Sequence, residues 1–115
     1  MKKSNIFAVT ELGKLVAGLR EHENDFRKGL LSQAAYFLII DPRYFSEPLG
    51  MKWVDLQARM TQRGPLVAAD GTVILNKVVH TIKYLSEVQC LEIVERLISL
   101  HNTLQEECEN RVLSL

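Results

Sequence analysis

The apolar positions from residue 86 to the end of the chain follow the period of an α-helix. On a wheel of about 100° per residue they fall within half of the circumference, and polar side chains fill the other half. Ser86 stands three residues before Gln89, which is the spacing of a reciprocal capping box. The pattern predicts one long amphipathic helix over residues 86–115. Its apolar arc is wide enough to pack against two helices or against a second subunit.

The N-terminal third also carries helical spacing, but its boundaries are ambiguous. Residues 1–9 have no cap and no clear period, which predicts a loose tail. Apolar residues then hold one helical face across residues 11–31. Asn24 or Asp25 is suited to cap a second helix that runs to Ile40, so the sequence leaves open whether residues 11–40 form one helix or two.

A continuous apolar run covers residues 34–40 and is compatible with either a buried strand or a buried helix. A lone strand would leave its backbone groups without partners, and no second strand of comparable strength is evident. We therefore predict a buried helix in this segment.

Apolar residues repeat every three to four positions from residue 49 to residue 60. This spacing predicts a short helix over about residues 49–63, which Gly64 and Pro65 end.

Residues 66–75 allow two interpretations. Asp70 and Gly71 lie between two apolar runs, which is typical of a β-hairpin turn. Apolar residues from 74 to 85 nevertheless keep helical spacing, and Asp70 or Thr72 is suited to be the N-cap. We predict a helix over about residues 72–85, with a small preceding hairpin as the alternative.

Together these segments predict an all-α fold: a small bundle of four or five helices with a long C-terminal amphipathic helix. The 115 residues fit a single domain that can bury a core without metal or disulfide support. An apolar share of 47% and a charged share of 24% are ordinary for globular proteins.

Charge is balanced overall but unevenly distributed. Fourteen basic and fourteen acidic side chains cancel, which gives no global attraction to nucleic acid or to an anionic membrane. Residues 1–50 carry seven basic and six acidic side chains, a net +1, whereas residues 51–85 carry five and two, a net +3. Residues 86–115 carry two basic and six acidic side chains, a net −4. Such asymmetry is compatible with a charge match within or between molecules.

Hydropathy argues against a targeting or membrane segment. Lys2 and Lys3 resemble the start of a signal peptide, but the apolar run that follows covers only Ile6 to Val9. The longest apolar run has seven residues, which is too short to span a bilayer. We predict a cytoplasmic protein with no membrane contact.

The wide arc of the C-terminal helix is the main candidate for association, either as a homodimer or with another protein. The residues expected to form this surface are Leu97, Leu100, His101, Leu104 and Cys108. His101 and Cys108 share a face, so two subunits could offer a four-ligand His/Cys site. No other pair lies at metal-ligand spacing, so we predict no metal.

Sequence motifs give little support for enzymatic chemistry. The chain contains no nucleophile elbow, no C-x-x-C and no glycine-rich phosphate loop. Glu21, His22, Glu23 and Asp25 are close in sequence, but adjacent helical residues diverge by about 100° and do not face each other. We predict a non-enzymatic protein with no cofactor, and no small-molecule substrate is identified.

The alternative function is that of a small DNA-associated regulator. The basic segment 52–83 supplies the candidate phosphate contacts, which are Arg59, Arg63, Lys77 and Lys83. The joint over residues 64–71 is longer than the three or four residues usual in a helix-turn-helix. This hypothesis therefore ranks below protein association.

Overall fold

A computed structural model describes the backbone of residues 3–113 and the side chains of residues 6–110. The described part of the chain contains six α-helices, a short 3-10 helix at Pro42–Tyr44 and one two-stranded sheet. In chain order the elements are α1 Lys3–Arg20, α2 Phe26–Ser32, α3 Tyr36–Ile39, α4 Glu47–Met60, β1 Leu66–Val67, β2 Val73–Leu75, α5 Lys77–Tyr84 and α6 Glu87–Leu113. The all-α class and the long C-terminal helix are confirmed.

The loose tail predicted for residues 1–9 is wrong from residue 3 onward, because α1 begins at Lys3. Ala8 is fully buried and continues the buried stripe of Leu12 and Leu15 by one turn. Packing of this stripe stabilises the helix, since helices in proteins are stabilised mainly by tertiary contacts. Residues 1 and 2 of the predicted tail lie outside the described residues.

Residues 11–40 form neither one helix nor two, because α1 ends at Arg20 and two separate helices, α2 and α3, follow it. The second helix predicted to run to Ile40 is therefore interrupted after Ser32. Asp25 is the N-cap of α2, where its carboxylate accepts a hydrogen bond from the backbone N–H of Lys28 at 3.1 Å. The apolar run 34–40 is helical at Tyr36–Ile39, as predicted. Burial is only partial, because Leu38 and Ile39 are 48% and 59% exposed.

An aromatic stack at Trp53 forms the centre of the core between α3 and α4. The indole is fully buried, and its ring centroid lies 5.7 Å from those of Phe37 and Phe45. The Trp53 Nε1–H donates to the carbonyl of Ile40 at 2.8 Å. This bond satisfies the indole donor and the end of α3 together.

Helix α6 begins with the predicted capping box. The backbone N–H of Ser86 donates to Gln89 Oε1 at 2.8 Å, and the N–H of Gln89 donates to Ser86 Oγ at 3.1 Å. The apolar arc of α6 packs against α1, α2 and α4 of the same chain. Helices of the same chain therefore cover most of the wide arc, and Leu91 remains 37% exposed. The last two residues of the predicted helix lie outside the described residues.

The helix predicted over 72–85 is wrong at its N-terminal end, and the alternative hairpin is present. Helix α5 begins at Lys77, with Asn76 as its N-cap, and β2 occupies Val73–Leu75. Strand β1 pairs with β2 in antiparallel register, with Leu66 opposite Leu75 and an irregularity between residues 66 and 67.

The hairpin turn explains why a helix does not start at residue 72. Gly71 has φ of 90°, and its N–H donates to the carbonyl of Ala68 at 2.9 Å. The N–H of Ala68 in turn donates to the carbonyl of Thr72 at 2.8 Å, which closes a three-residue loop with glycine in the left-handed position. The Asp70 carboxylate accepts from the N–H of Thr72 at 2.9 Å, so it stabilises this turn instead of capping a helix.

Arg27 ties α2 to the junction between α5 and α6. Its Nη1 donates to the carbonyl of Ile82 at 2.6 Å, and its Nη2 pairs with Glu87 Oε1 at 3.2 Å. The carbonyl belongs to the last turn of α5 and also accepts the backbone N–H of Leu85 at 3.2 Å, so Arg27 supplies a second, shorter hydrogen bond to it.

The molecule is elongated, with extents of 57 × 31 × 19 Å. Among the helices of residues 3–113, none has the length and apolarity required to cross a membrane.

Candidate interaction surface

The structure places most of the predicted association residues of α6 inside the protomer. Leu97 and Leu104 are fully buried, and Leu100 and Cys108 are at most 8% exposed. Packing within one chain accounts for their apolar character. Their role in association stays a prediction.

His101 is half-buried against α1. A Cβ on Gly13 would lie 3.2 Å from His101 Nε2, so the glycine makes room for the imidazole. The Nδ1 atom is buried and has no hydrogen-bond partner within the described structure. Burial lowers the pKa of His101, and the positive charge of Arg20 lowers it further. Within residues 3–113, no group of three or more His, Cys, Asp or Glu side chains is placed to hold a metal ion.

The four predicted phosphate contacts have different environments. Arg59 forms an ion pair with Glu92 on α6 at 3.2 Å. Arg63 stacks on the ring of Tyr84, with 3.8 Å between the guanidinium carbon and the ring centroid. Lys77 and Lys83 are exposed on α5. Arg63 therefore lies against α5, whereas Arg59 is already bound in an ion pair within the chain.

The hairpin is the most unusual part of the surface, because its apolar side chains face solvent. Leu66 and Val67 are 37% and 47% exposed, and Val73 and Ile74 are each 58% exposed. The sheet has only two strands within the described chain, so the outer edge of each strand lacks a β partner. Exposed apolar groups beside unpaired backbone edges favour association with another chain.

Tyr84 lies next to the start of the hairpin and is 61% exposed. His80 packs edge-on against the Tyr84 ring at 5.3 Å, and His80 Nδ1 lies 2.9 Å from the carbonyl oxygen of Gly64. The backbone N–H of Arg63 donates to Thr81 Oγ1 at 3.2 Å. These contacts fix residues 63 and 64 against α5. We call the combined region the hairpin surface; it comprises Arg63, Leu66, Val67, Val73, Ile74, Lys77, His80, Lys83 and Tyr84.

The hairpin surface is also basic. Residues 61–86 contain three basic residues and one acidic residue, Asp70, which gives a net charge of +2. Asp70 lies at the loop, where hydrogen bonds from Thr72 lower the pKa of its carboxyl group. The surface thus combines aliphatic groups, an exposed aromatic ring and positive charge.

A groove of about 500 Å³ lies between α4 and α6. Its charged groups include Lys52, Asp55, Glu95 and the Arg96–Glu92 pair, whose atoms are 3.0 Å apart. Opposite charges occur on both walls, so the groove offers no single charge for a ligand to complement.

Comparison with known proteins finds no match to this chain among protein-family models, curated proteins or solved structures. A functional proposal for this chain therefore rests on its own exposed groups, charges and contacts.

Sequence reasoning identified the hairpin only as an alternative and did not single out Tyr84. The turn signal at Asp70 and Gly71 was available, and Tyr84 follows Lys77 by seven residues, which places both on one helical face. The stacking of Arg63 on Tyr84 joins residues 21 positions apart and had no local signal.

Proposed function

We propose that this chain is a non-enzymatic protein-binding module whose hairpin surface takes up an extended segment of another protein. That segment carries alternating apolar and acidic residues. The observation that most supports this proposal is the hairpin itself, which has four exposed aliphatic side chains next to two strand edges without β partners among the described residues.

The exposed edges support an extended partner. An isolated two-stranded hairpin is marginally stable in water, and a third strand would supply backbone hydrogen bonds along one edge. Successive side chains of a strand point to opposite faces, so the apolar set of an added strand can cover Val73, which shares a face with its partner Val67, while the acidic set lies on the opposite face.

Charge complementarity supports an acidic partner. Lys77 and Lys83 are exposed, and Arg63 is held at the base of the hairpin. The single acidic group of residues 61–86 is Asp70, at the loop. Acidic groups would be attracted to this surface, and lysine-rich segments would be repelled.

The same observations rank nucleic acid second. Tyr84 and Arg63 could stack with unpaired bases, which is how single-stranded nucleic acids are often held. Phosphates and sugars, however, would leave the four aliphatic side chains of the hairpin without apolar partners. A second copy of this chain is a further occupant that the same experiment distinguishes.

The test uses fluorescence anisotropy with short labelled peptides in which Val alternates with Glu, Gln or Lys. We expect the Glu peptide to bind at least about fivefold more tightly than the Lys peptide. The double variant Val73→Thr/Ile74→Thr should lose this binding. Met51→Thr/Val54→Thr is the matched control, because these apolar residues are equally exposed but lie on α4.

Four results would overturn the proposal, three from the binding assay and one from light scattering. The first is no binding of the Glu peptide at about 1 mM, and the second is equal loss in the two double variants. The third is tighter binding of a labelled oligothymidylate than of any peptide, which would favour nucleic acid. Light scattering completes the test: a dimer that dissociates only in Val73→Thr/Ile74→Thr would identify the occupant as a second copy and contradict the acidic partner.

A further inference from the structure

We infer that Arg63, held in place by Tyr84, is a carboxylate-binding site at the base of the hairpin. This inference rests on the proposed function and adds the group that recognises the acidic residues of the partner. A carboxylate can come from an Asp or Glu side chain or from a C-terminus, and the chemistry of recognition is the same for both.

The Arg63 guanidinium stacks on an aromatic face instead of pairing with an acid. It lies 3.8 Å from the Tyr84 centroid, and no ion pair with Arg63 occurs within the described residues. A contact between a guanidinium and a ring face does not consume the N–H groups at the edge of the guanidinium. Those N–H groups form the planar fork that binds a carboxylate through two parallel hydrogen bonds.

Four other arginines pair with acidic side chains of this chain through their guanidinium groups. Arg27 donates to a carbonyl and to Glu87, Arg43 pairs with Asp41, and Arg59 and Arg96 share Glu92. Within residues 61–86 the single acidic residue is Asp70, which lies in the hairpin loop and accepts the N–H of Thr72. Because no ion pair with Arg63 occurs within the described residues, we assign its acidic partner to another molecule.

The surroundings of Arg63 reduce its conformational freedom before a ligand binds. Its backbone N–H donates to Thr81 Oγ1, and Thr81 Oγ1 donates to the carbonyl of Lys77 at 2.8 Å. His80 packs against the edge of Tyr84 and lies within hydrogen-bonding distance of the Gly64 carbonyl. A guanidinium that is already positioned loses less entropy on binding than a free side chain. Tyr84 is thus a positioning residue for Arg63.

The experiment measures anisotropy with the Val/Glu and Val/Gln peptides, both with amidated C-termini. Arg63→Gln should weaken binding of the Glu peptide by about tenfold or more and leave the Gln peptide unchanged. Arg63→Lys keeps the charge but loses the fork, so it should recover only part of the affinity while retaining the salt dependence. Tyr84→Phe should bind like the wild type, whereas Tyr84→Ala should weaken the Glu peptide.

Arg43→Gln is the matched control, because the Arg43 guanidinium also lies over an aromatic ring, at 5.4 Å from the Tyr44 centroid, but outside the hairpin surface.

A third peptide, Val/Gln with a free C-terminal carboxylate, distinguishes a side-chain carboxylate from a C-terminal carboxylate. If Arg63→Gln weakens this peptide and not the Glu peptide, the site binds a C-terminus.

Failure of this inference is distinguishable from failure of the proposed function. Equal affinity of Arg63→Gln and wild type for every peptide would overturn the carboxylate site; the proposed function would still hold if Val73→Thr/Ile74→Thr abolished binding. Absence of peptide binding to the wild type would overturn both. Equal affinity of Tyr84→Ala and wild type would overturn the role of Tyr84. Unfolding curves from Trp53 fluorescence check that each variant is folded.

Discussion

The environment of His101 depends on the space that a neighbouring helix leaves for its ring. The ring packs where Gly13 lacks a side chain, and its Nδ1 atom is buried without a hydrogen-bond partner in the described structure. Burial and the nearby Arg20 both disfavour the protonated ring. The imidazole therefore serves the core as a neutral group.

This environment predicts a loss of stability in mild acid. The folded pKa of His101 lies below its ordinary value of 6.5, so the unfolded chain binds the proton more readily. The contribution of His101 to the free energy of unfolding is complete above pH 6.5 and is lost as pH falls through the folded pKa. Urea unfolding between pH 7.5 and 5, followed by Trp53 fluorescence, measures this loss.

Substitution isolates the contribution of His101 from that of other titrating groups. His101→Gln cannot take up a proton, so its stability should change less over the same pH range. His22→Gln, which removes a histidine from the turn between α1 and α2, is the matched control. Identical pH dependence of wild type and His101→Gln would show that this imidazole is not responsible.

At the scale of elements, the junction between α5 and α6 depends on a side chain from α2. The Arg27 side chain is 25% exposed, and its guanidinium donates to the carbonyl of Ile82 in the last turn of α5, beside the bond from the Leu85 N–H. Its ion pair with Glu87 contributes less, because the Glu87 side chain is largely exposed and screened by water.

Arg27→Ala should lower the free energy of unfolding by about 1.5 kcal/mol, the scale of a hydrogen bond that involves a charged group. Lys28→Ala is the control: it alters the next residue of α2, which is exposed, and should change stability by less than about 0.5 kcal/mol. Denaturant titration of both variants measures the change in the free energy of unfolding. Equal effects would mean that the Arg27 contact to Ile82 does not stabilise the junction.

How well each element could be predicted follows from how local its determinants are. The Ser86–Gln89 box and the Asp25 cap involve side chains within three residues of their backbone partners, and both appear as expected. The start of α1 depends on burial of Ala8 against distant helices, so the sequence around residues 3–9 gives no local sign of it.

The hairpin shows a competition between two local signals. Helical spacing of apolar residues from 74 onward favoured a helix, but Gly71 adopts a left-handed conformation that closes the turn. Asp70 supports the turn through the N–H of Thr72, and Asn76 takes the role of the N-cap. The candidate site depends on this outcome, because a helix from residue 72 would have removed both exposed strand edges.

At the scale of the whole molecule, one chain supplies the partners for its own longest helix. Helix α6 packs against α1, α2 and α4, so its apolar arc is used within the protomer. The association predicted from that arc is therefore better supported at the hairpin surface, where aliphatic side chains remain exposed. A width measured on a helical wheel shows how much apolar surface must be covered, but it does not show which chain covers it.

The separation of charge along the molecule has an electrical consequence. Residues 51–85 hold a net +3 and residues 86–115 a net −4. Glu106 and Glu109 lie about 30 Å along α6 from its first residue, which adjoins α5. We therefore expect a chain with no net charge to have a dipole moment. Near its isoelectric point of about 6.8 and at low salt, it should bind both cation- and anion-exchange resins.

Paired substitutions separate the two poles of this dipole. Lys77→Gln/Lys83→Gln should reduce retention on the cation exchanger, and Glu106→Gln/Glu109→Gln should reduce retention on the anion exchanger. Passage of the wild type through both columns would contradict a dipole of this size. In solution the same dipole would rotate an approaching anion-rich molecule toward the positive pole before any contact forms, and added salt would abolish this orientation.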